Sequence, residues 1–244
     1  MPSDRYYQAQ PFYLEQKLTL EDAEAHHLAS VMRNRVGDQV ELVNGQGQLA
    51  IGRVYSIAKN SVAIEIVNTY SEDPTTTQLI LAQALPKMNR LEYILEKACE
   101  LDIDQIWLFP GKLSEKYELT KNRLERINHI LISALKQCGR LFLPKLIMKP
   151  ALKNWSALPL PAYFGDLRQE APPFDKILLG QMPDSLLFFI GPESGLAAEE
   201  TAFLEENGVK GVKLHKNILR TDTAAIAACY SMSEKRLKKK GEIS

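Results

Sequence analysis

The chain has 244 residues, 45% hydrophobic and 25% charged, which is the composition of an ordinary soluble globular protein with room for one large domain or two of ordinary size. Thirty Lys and Arg balance thirty Asp and Glu, so there is no general basic field, and any nucleic acid must be met through local patches. No apolar run approaches the roughly 18 residues of a membrane span, and the start MPSDRYYQAQ lacks the order of an export signal, so a cytoplasmic protein is expected.

The segment TLEDAEAHHLASVMR reads as a helix, with Thr19 as its N-cap and Glu21 and Asp22 in its first turn. Short strands follow in DQVELVNG, QLAIGRVYSIA and SVAIEIVNTY. The NGQG stretch between the first two is a hairpin signal, and Val62, Ile64 and Ile66 keep the period of a strand. Strands closed on one small helix predict a compact β-barrel over residues 1–72. Periodicity stops at SEDPTTTQ, a polar linker, and a second domain is expected over residues 73–244.

There the pattern becomes strand then helix. LILAQAL is a buried strand, and NRLEYILEKACEL sets Leu91, Ile94, Leu95, Ala98 and Cys99 on one helical face, with Asn89 and Glu92 as cap and capping-box partner. QIWLF is the next strand. Residues 120–138 form a helix with Leu124, Ile127, Leu131, Ala134, Leu135 and Cys138 on one stripe. Strands are expected at AYFGD, LLFFIG and GVKL, and a last helix from about Asp222. This alternation predicts an α/β fold with a mostly parallel sheet covered by helices. The basic run from Lys235 to Lys240 is explained by the dipole of a helix end and by solubility. The three cysteines, Cys99, Cys138 and Cys229, read as reduced thiols without metal spacing.

In such sheets ligands sit at the carboxyl ends of strands. Two loops there are unusual. FFIGPESGLAAEE runs a strand through Gly191, Pro192, Glu193, Ser194 and Gly195 into an acidic helix start. KLHKNILRTDTAAIAA leads through a polar loop into a small-residue helix that Thr221 and Asp222 can cap. Neither is a phosphate cradle of the GxGxxG or GxxxxGK[ST] type.

IGPESGL followed by ILRTDTA resembles the paired signature of the RsmE family, SPOUT-class methyltransferases of small-subunit ribosomal RNA that make N3-methyluridine. HHLASVMRNRVGD, RLEYILEKACELDI and QCGR resemble further motifs of that family, in order and over nearly the whole chain. Two positions depart from its usual pattern. Ser194 stands where the first of two glycines is usual, and His215 where a glycine precedes ILR.

The resemblance implies a C-terminal SPOUT domain with a deep trefoil knot, although threaded chains are nearly absent from folds generally. It implies an N-terminal PUA-like RNA-binding barrel, a homodimer, and action on the 30S particle. It also implies S-adenosyl-L-methionine held by Phe164, Gly165, Ile190, Gly191, Pro192, Glu193, Gly195, Leu214, His215, Ile218, Leu219, Thr223 and Ala224. Arg33 and Arg35, with Lys87, Arg90 and Arg140, are its candidates for RNA contact. Arg220, permanently charged, is the candidate for stabilising a uridine anion, and no metal is called for. A non-catalytic RNA-binding assembly factor on the same fold is the competing expectation.

Overall fold

The computed structural model describes residues 5–115, 119–159, 161–178 and 183–242. By internal contacts the chain divides into two units, Met1–Pro74 with Ile132–Leu143, and Thr75–Leu131 with Pro144–Ser244.

The first unit is a curled five-stranded sheet in the order β1-β3-β4-β5-β2. Its elements are β1 (Arg5–Tyr7), β2 (Lys17–Glu21), helix α1 (Asp22–His26), β3 (Gln39–Val43), β4 (Gln48–Ile57) and β5 (Ser61–Ser71). β3, β4 and β5 are antiparallel neighbours, joined as the hairpin signal requires, with irregular register between Ile51 and Gly52 and between Val54 and Ser56. Such irregularities bend a sheet. Its core collects the alternate residues Val62, Ile64 and Ile66 with Leu18, Leu20, Leu42, Val54, Tyr6 and Leu28.

Two expectations are corrected here. Thr19 caps no helix, because it lies inside β2, where Leu18 and Leu20 are buried and their neighbours exposed. The helix begins only at Asp22, with Glu21 as an N-cap that makes no side-chain bond, and continues as a π turn over His27–Val31. β1 was not anticipated. It is three residues long and pairs in parallel with β3, a non-local partner.

In the second unit the elements are β6 (Gln78–Ala84), α2 (Met88–Glu100), β7 (Gln105–Phe109), α3 (Lys121–Cys138, whose last residues are counted with the first unit), β8 (Lys145–Met148), β9 (Ala162–Gly165), α4 (Phe174–Ile177), β10 (Ser185–Ile190), α5 (Ala198–Glu206), β11 (Lys210–Val212) and α6 (Thr221–Lys240). Six strands form a sheet in the order β11-β9-β10-β6-β7-β8, every adjacent pair parallel. The central strands carry apolar runs, Leu79–Ala82 in β6 and Leu186–Ile190 in β10, as strands buried on both faces do. One side of the core joins Trp107, Phe109, Trp155 and Phe189, whose rings meet mainly edge to face.

The face expected of α2 is buried as drawn, from Leu91 to Cys99. Asn89 is not its cap. The cap position is Lys87, two residues earlier, and Glu92 takes a two-point bond from Arg126 at 2.5 and 2.8 Å instead of closing a capping box. Likewise Arg220 is the N-cap of α6, without a side-chain bond, and Thr221 and Asp222 stand inside the helix. Among the described residues no helix is long and apolar enough to cross a membrane.

Candidate functional site

β9, β10 and β11 each end in a loop that lines one cavity of about 230 Å³. The walls are residues 165–167 at the end of β9 and beyond it, 189–196 at the end of β10 and beyond it, and Leu214, His215 and 217–219 after β11, closed by Thr221 and Ala224 of α6. Parallel strands make this site by necessity, since all three loops leave from the same edge of the sheet.

The loop after β10 is held in shape by its own backbone. Gly195 N–H donates to the Pro192 carbonyl at 2.9 Å, which closes a tight turn. A Cβ on Gly191 would lie 2.7 Å from the Gly195 carbonyl carbon and the Leu196 nitrogen, so only glycine lets the turn fold back on itself. Gly195 has φ +77°, with open space beside it.

Side chains then tie this loop to its neighbours. The Thr221 hydroxyl donates to the Gly191 carbonyl at 2.6 Å. Glu193 accepts the Lys87 backbone N–H at 3.1 Å and pairs with Arg90 Nε at 3.1 Å. At the α5 end, buried Glu200 accepts from the backbone N–H groups of Ala197 and Lys112, both at 2.9 Å, so its carboxylate is satisfied. After β9, Asp166 accepts the backbone N–H and guanidinium of Arg168, which also pairs with Glu205. Burial would raise the Asp166 carboxyl, but the Arg168 bonds and charge outweigh it and hold it below its ordinary value.

Most of the residues expected to hold a cofactor line this cavity: Gly165, Ile190, Gly191, Pro192, Glu193, Gly195, Leu214, His215, Ile218, Leu219 and Ala224. Phe164 and Thr223 do not. Phe164 points into the core at 2% exposure, and Thr223 is exposed on the first turn of α6. Ser194 also lines the wall, as do Asp166, which ends the YFGD stretch, and Leu167, Leu196, Asn217 and Thr221. His215 is exposed, and its Nδ1 accepts the Asn217 N–H at 3.1 Å, which braces the loop.

Arg220 is exposed at the N-cap of α6, between the lining residues Leu219 and Thr221. Among the described residues its guanidinium has neither a hydrogen-bond nor an ion-pair partner. Arg33 and Arg35 are exposed in the first unit, Arg33 with φ 59° and the Arg35 N–H bonded to Asp38 Oδ2 at 2.6 Å. Arg140, in the same unit, is half-buried. Lys87 pairs with Glu115 at 3.5 Å, and Arg90 is engaged by two carboxylates, Glu193 and Asp222. Among the described residues no group of His, Cys, Asp and Glu is arranged to hold a metal ion.

The family model described as RNA methyltransferase domain matches residues 72–233, and that described as RNA methyltransferase PUA domain matches residues 20–67. The ribosomal RNA small subunit methyltransferase E of Mycobacterium bovis is 28% identical over 213 residues, covering 84% of this chain and 81% of that protein. Its counterpart in Bacillus subtilis is 27% identical over 225 residues, covering 86% and 87%. The crystal structure of the ribosomal RNA small subunit methyltransferase E from Neisseria gonorrhoeae bound to S-adenosyl methionine matches with a TM-score of 0.84 at 25% identity, over 95% of this chain and 97% of that one. With a curled N-terminal half-barrel of PUA type and a parallel-sheet methyltransferase domain of SPOUT type, the chain belongs to the RNA methyltransferase family, as a member of its RsmE group.

Proposed function

We propose that this chain methylates N3 of a uridine in small-subunit (16S) ribosomal RNA, using S-adenosyl-L-methionine and acting on the assembled 30S particle in the cytoplasm as a homodimer. Residues 1–72 serve as the RNA-binding domain and residues 73–244 as the catalytic one. The observation that carries this reading is the cavity at the carboxyl ends of β9, β10 and β11, walled by three loops and the start of α6.

The residues present fit the cofactor. The wall at Gly191 and Gly195 is backbone without side chains, while Leu167, Leu196, Leu214, Ile218 and Leu219 offer apolar surface. Backbone amides and carbonyls can read a nucleoside's edge where apolar side chains cover its faces. When bound, S-adenosylmethionine supplies a methyl group on a positively charged sulfur. The carboxylate of Glu193, at the wall, favours a cationic ligand there. Trefoil threading of the α6 segment through the preceding loops is part of this reading.

Uridine N3 carries a proton and is a poor nucleophile until the proton leaves, so the site must favour the anion. Arg220 serves that role. It is permanently charged, unpaired among the described residues, and flanked by lining residues. A cation near O2 or O4 lowers the cost of the negative charge that spreads from N3 onto those oxygens. Arg33 and Arg35 contact phosphate and fix the register of the RNA.

The test is methyl transfer to small-subunit particles from a strain lacking the gene, followed by mass mapping of the modified nucleosides. One N3-methyluridine restored at a single position is the expected result. Intact particle binding without any methylation would make the chain a non-catalytic assembly factor, and methylation at another atom would refute the uridine N3 assignment.

A further inference from the structure

Two side chains that stand behind the cavity, and do not line it, bind its walls together. Gln83, near the end of β6, is fully buried. The two hydrogens of its amide nitrogen are shared among the carbonyls of Ala84 at 2.8 Å and Gly191 at 3.2 Å and the Thr221 hydroxyl at 3.3 Å. Arg90, in the first turn of α2, pairs through Nε with Glu193 at 3.1 Å, and Nη1 meets both Asp222 oxygens at 3.0 Å. Each residue therefore reaches both the loop after β10 and the start of α6.

These contacts argue against a phosphate role for Arg90. Two carboxylates flank its guanidinium, and its side chain is 23% exposed. An incoming phosphate would have to displace one of them and then face the other's negative charge. A guanidinium, in contrast, is suited to holding two carboxylates at once, because its donors diverge in a fixed plane. Gln83 ties the same two segments from inside, through the Gly191 carbonyl and the Thr221 hydroxyl, while its own buried Oε1 meets no partner among the described residues. Apart from Gly191, whose carbonyl is used, the loop has few side chains by which to be held.

We propose that Gln83 and Arg90 form a clasp that sets the shape of the cofactor cavity, and that both are positioning residues for methyl transfer. This rests on the methyltransferase reading above. A ligand that binds only the clasped form pays for the fraction of molecules in which the clasp is open, so weakening the clasp raises the apparent Kd without touching a ligand contact. Arg90→Lys keeps the charge but cannot span both carboxylates.

The experiment is calorimetry of the full chain with S-adenosylmethionine, for Arg90→Met, Arg90→Lys and Gln83→Met beside the wild type. Thermal unfolding establishes that each variant is folded. Each variant is expected to bind about tenfold or more weakly, as loss of a charge-assisted bond implies. KM for the cofactor should rise while kcat recovers at saturation. Arg90→Met combined with Asp222→Asn should be little worse than Arg90→Met alone, because both remove the same tie. The salt dependence of RNA binding should not change. Wild-type cofactor affinity in the Arg90 variants, with a salt slope lowered by about 0.7 to 0.9, would overturn the clasp and return Arg90 to phosphate contact. A wild type that fails to bind S-adenosylmethionine would refute the proposed function instead. In that case the clasp is read from amide exchange over residues 191–196, which should accelerate in the variants, and unchanged exchange would overturn it.

Discussion

A Cβ on Gly191 would press on the backbone of Gly195 and Leu196, and neither can yield without opening the turn that forms the cavity wall. A Cβ on Gly195 would meet nothing within 4 Å, and its cost is the left-handed φ of +77° alone. The two glycines should therefore respond differently. Gly195→Ala is expected to cost about 1–2 kcal/mol of stability, and Gly195→Asn less, because asparagine tolerates that region. Gly191→Ala should cost more and should also weaken S-adenosylmethionine binding, as measured by thermal unfolding and calorimetry on the same samples. For Arg220, Lys keeps the charge and loses the planar fork. If Arg220 stabilises the uridine anion, Arg220→Lys should lower kcat about 100- to 1000-fold with RNA affinity nearly unchanged. Single-turnover transfer to small-subunit particles measures this. Full activity in the variant would remove Arg220 from the mechanism.

Among the elements, α6 is pinned at both ends. At its start Thr221 holds the Gly191 carbonyl. Near its end Arg236, 2% exposed, bonds Asp102 and Asp104 at 2.5 Å and the Thr77 carbonyl at 3.1 Å. Removing one partner of such a cluster leaves buried charge, so Arg236→Met is expected to cost about 3 kcal/mol in urea unfolding, whereas Lys239→Met, on the exposed face, should cost little. The sequence hid this residue inside a basic run that the helix dipole explains. Phase exposes it: Arg236 continues the buried stripe of Ala225, Ala228, Cys229 and Met232. β2 was lost for a similar reason. Its alternation spans only Lys17–Glu21 and runs straight into the helix-like DAEAH. The long, strongly periodic α2 and α3, and the apolar β6, β7 and β10, were legible because one face or one run dominates many residues.

Across the molecule, equal numbers of acidic and basic residues mean that attraction to RNA must come from a few placed charges. Arg33 and Arg35 are exposed and carry no side-chain partner among the described residues. Replacing both with Ala should weaken RNA binding and lower the slope of log K against log salt by about 0.7 to 0.9 for each lost contact, with cofactor affinity unchanged. An unchanged slope would place the RNA path elsewhere. The two signature loops of the cavity could be read from residue types, because glycine, proline and small-residue patterns are local. The contribution of Leu167 could not, because it depends on β9 lying between β10 and β11, an order of strands that no local pattern encodes.

That order leaves β11 at the edge of the sheet with three residues and a single strand partner, β9. Beyond it, Lys213 makes the next backbone ties before the cavity loop, its N–H to the Pro172 carbonyl at 2.8 Å and its carbonyl from the Phe174 N–H at 3.0 Å. Short edge strands open at lower free energy than central ones. Amide deuteration should therefore reach residues 210–219 well before β6 or β10, and the cavity should breathe from this side. A ligand seated in the cavity then suppresses that opening. Its grip would be recorded as slowed deuterium uptake in the β11 segment, while uptake in β6, already slow, would hardly change.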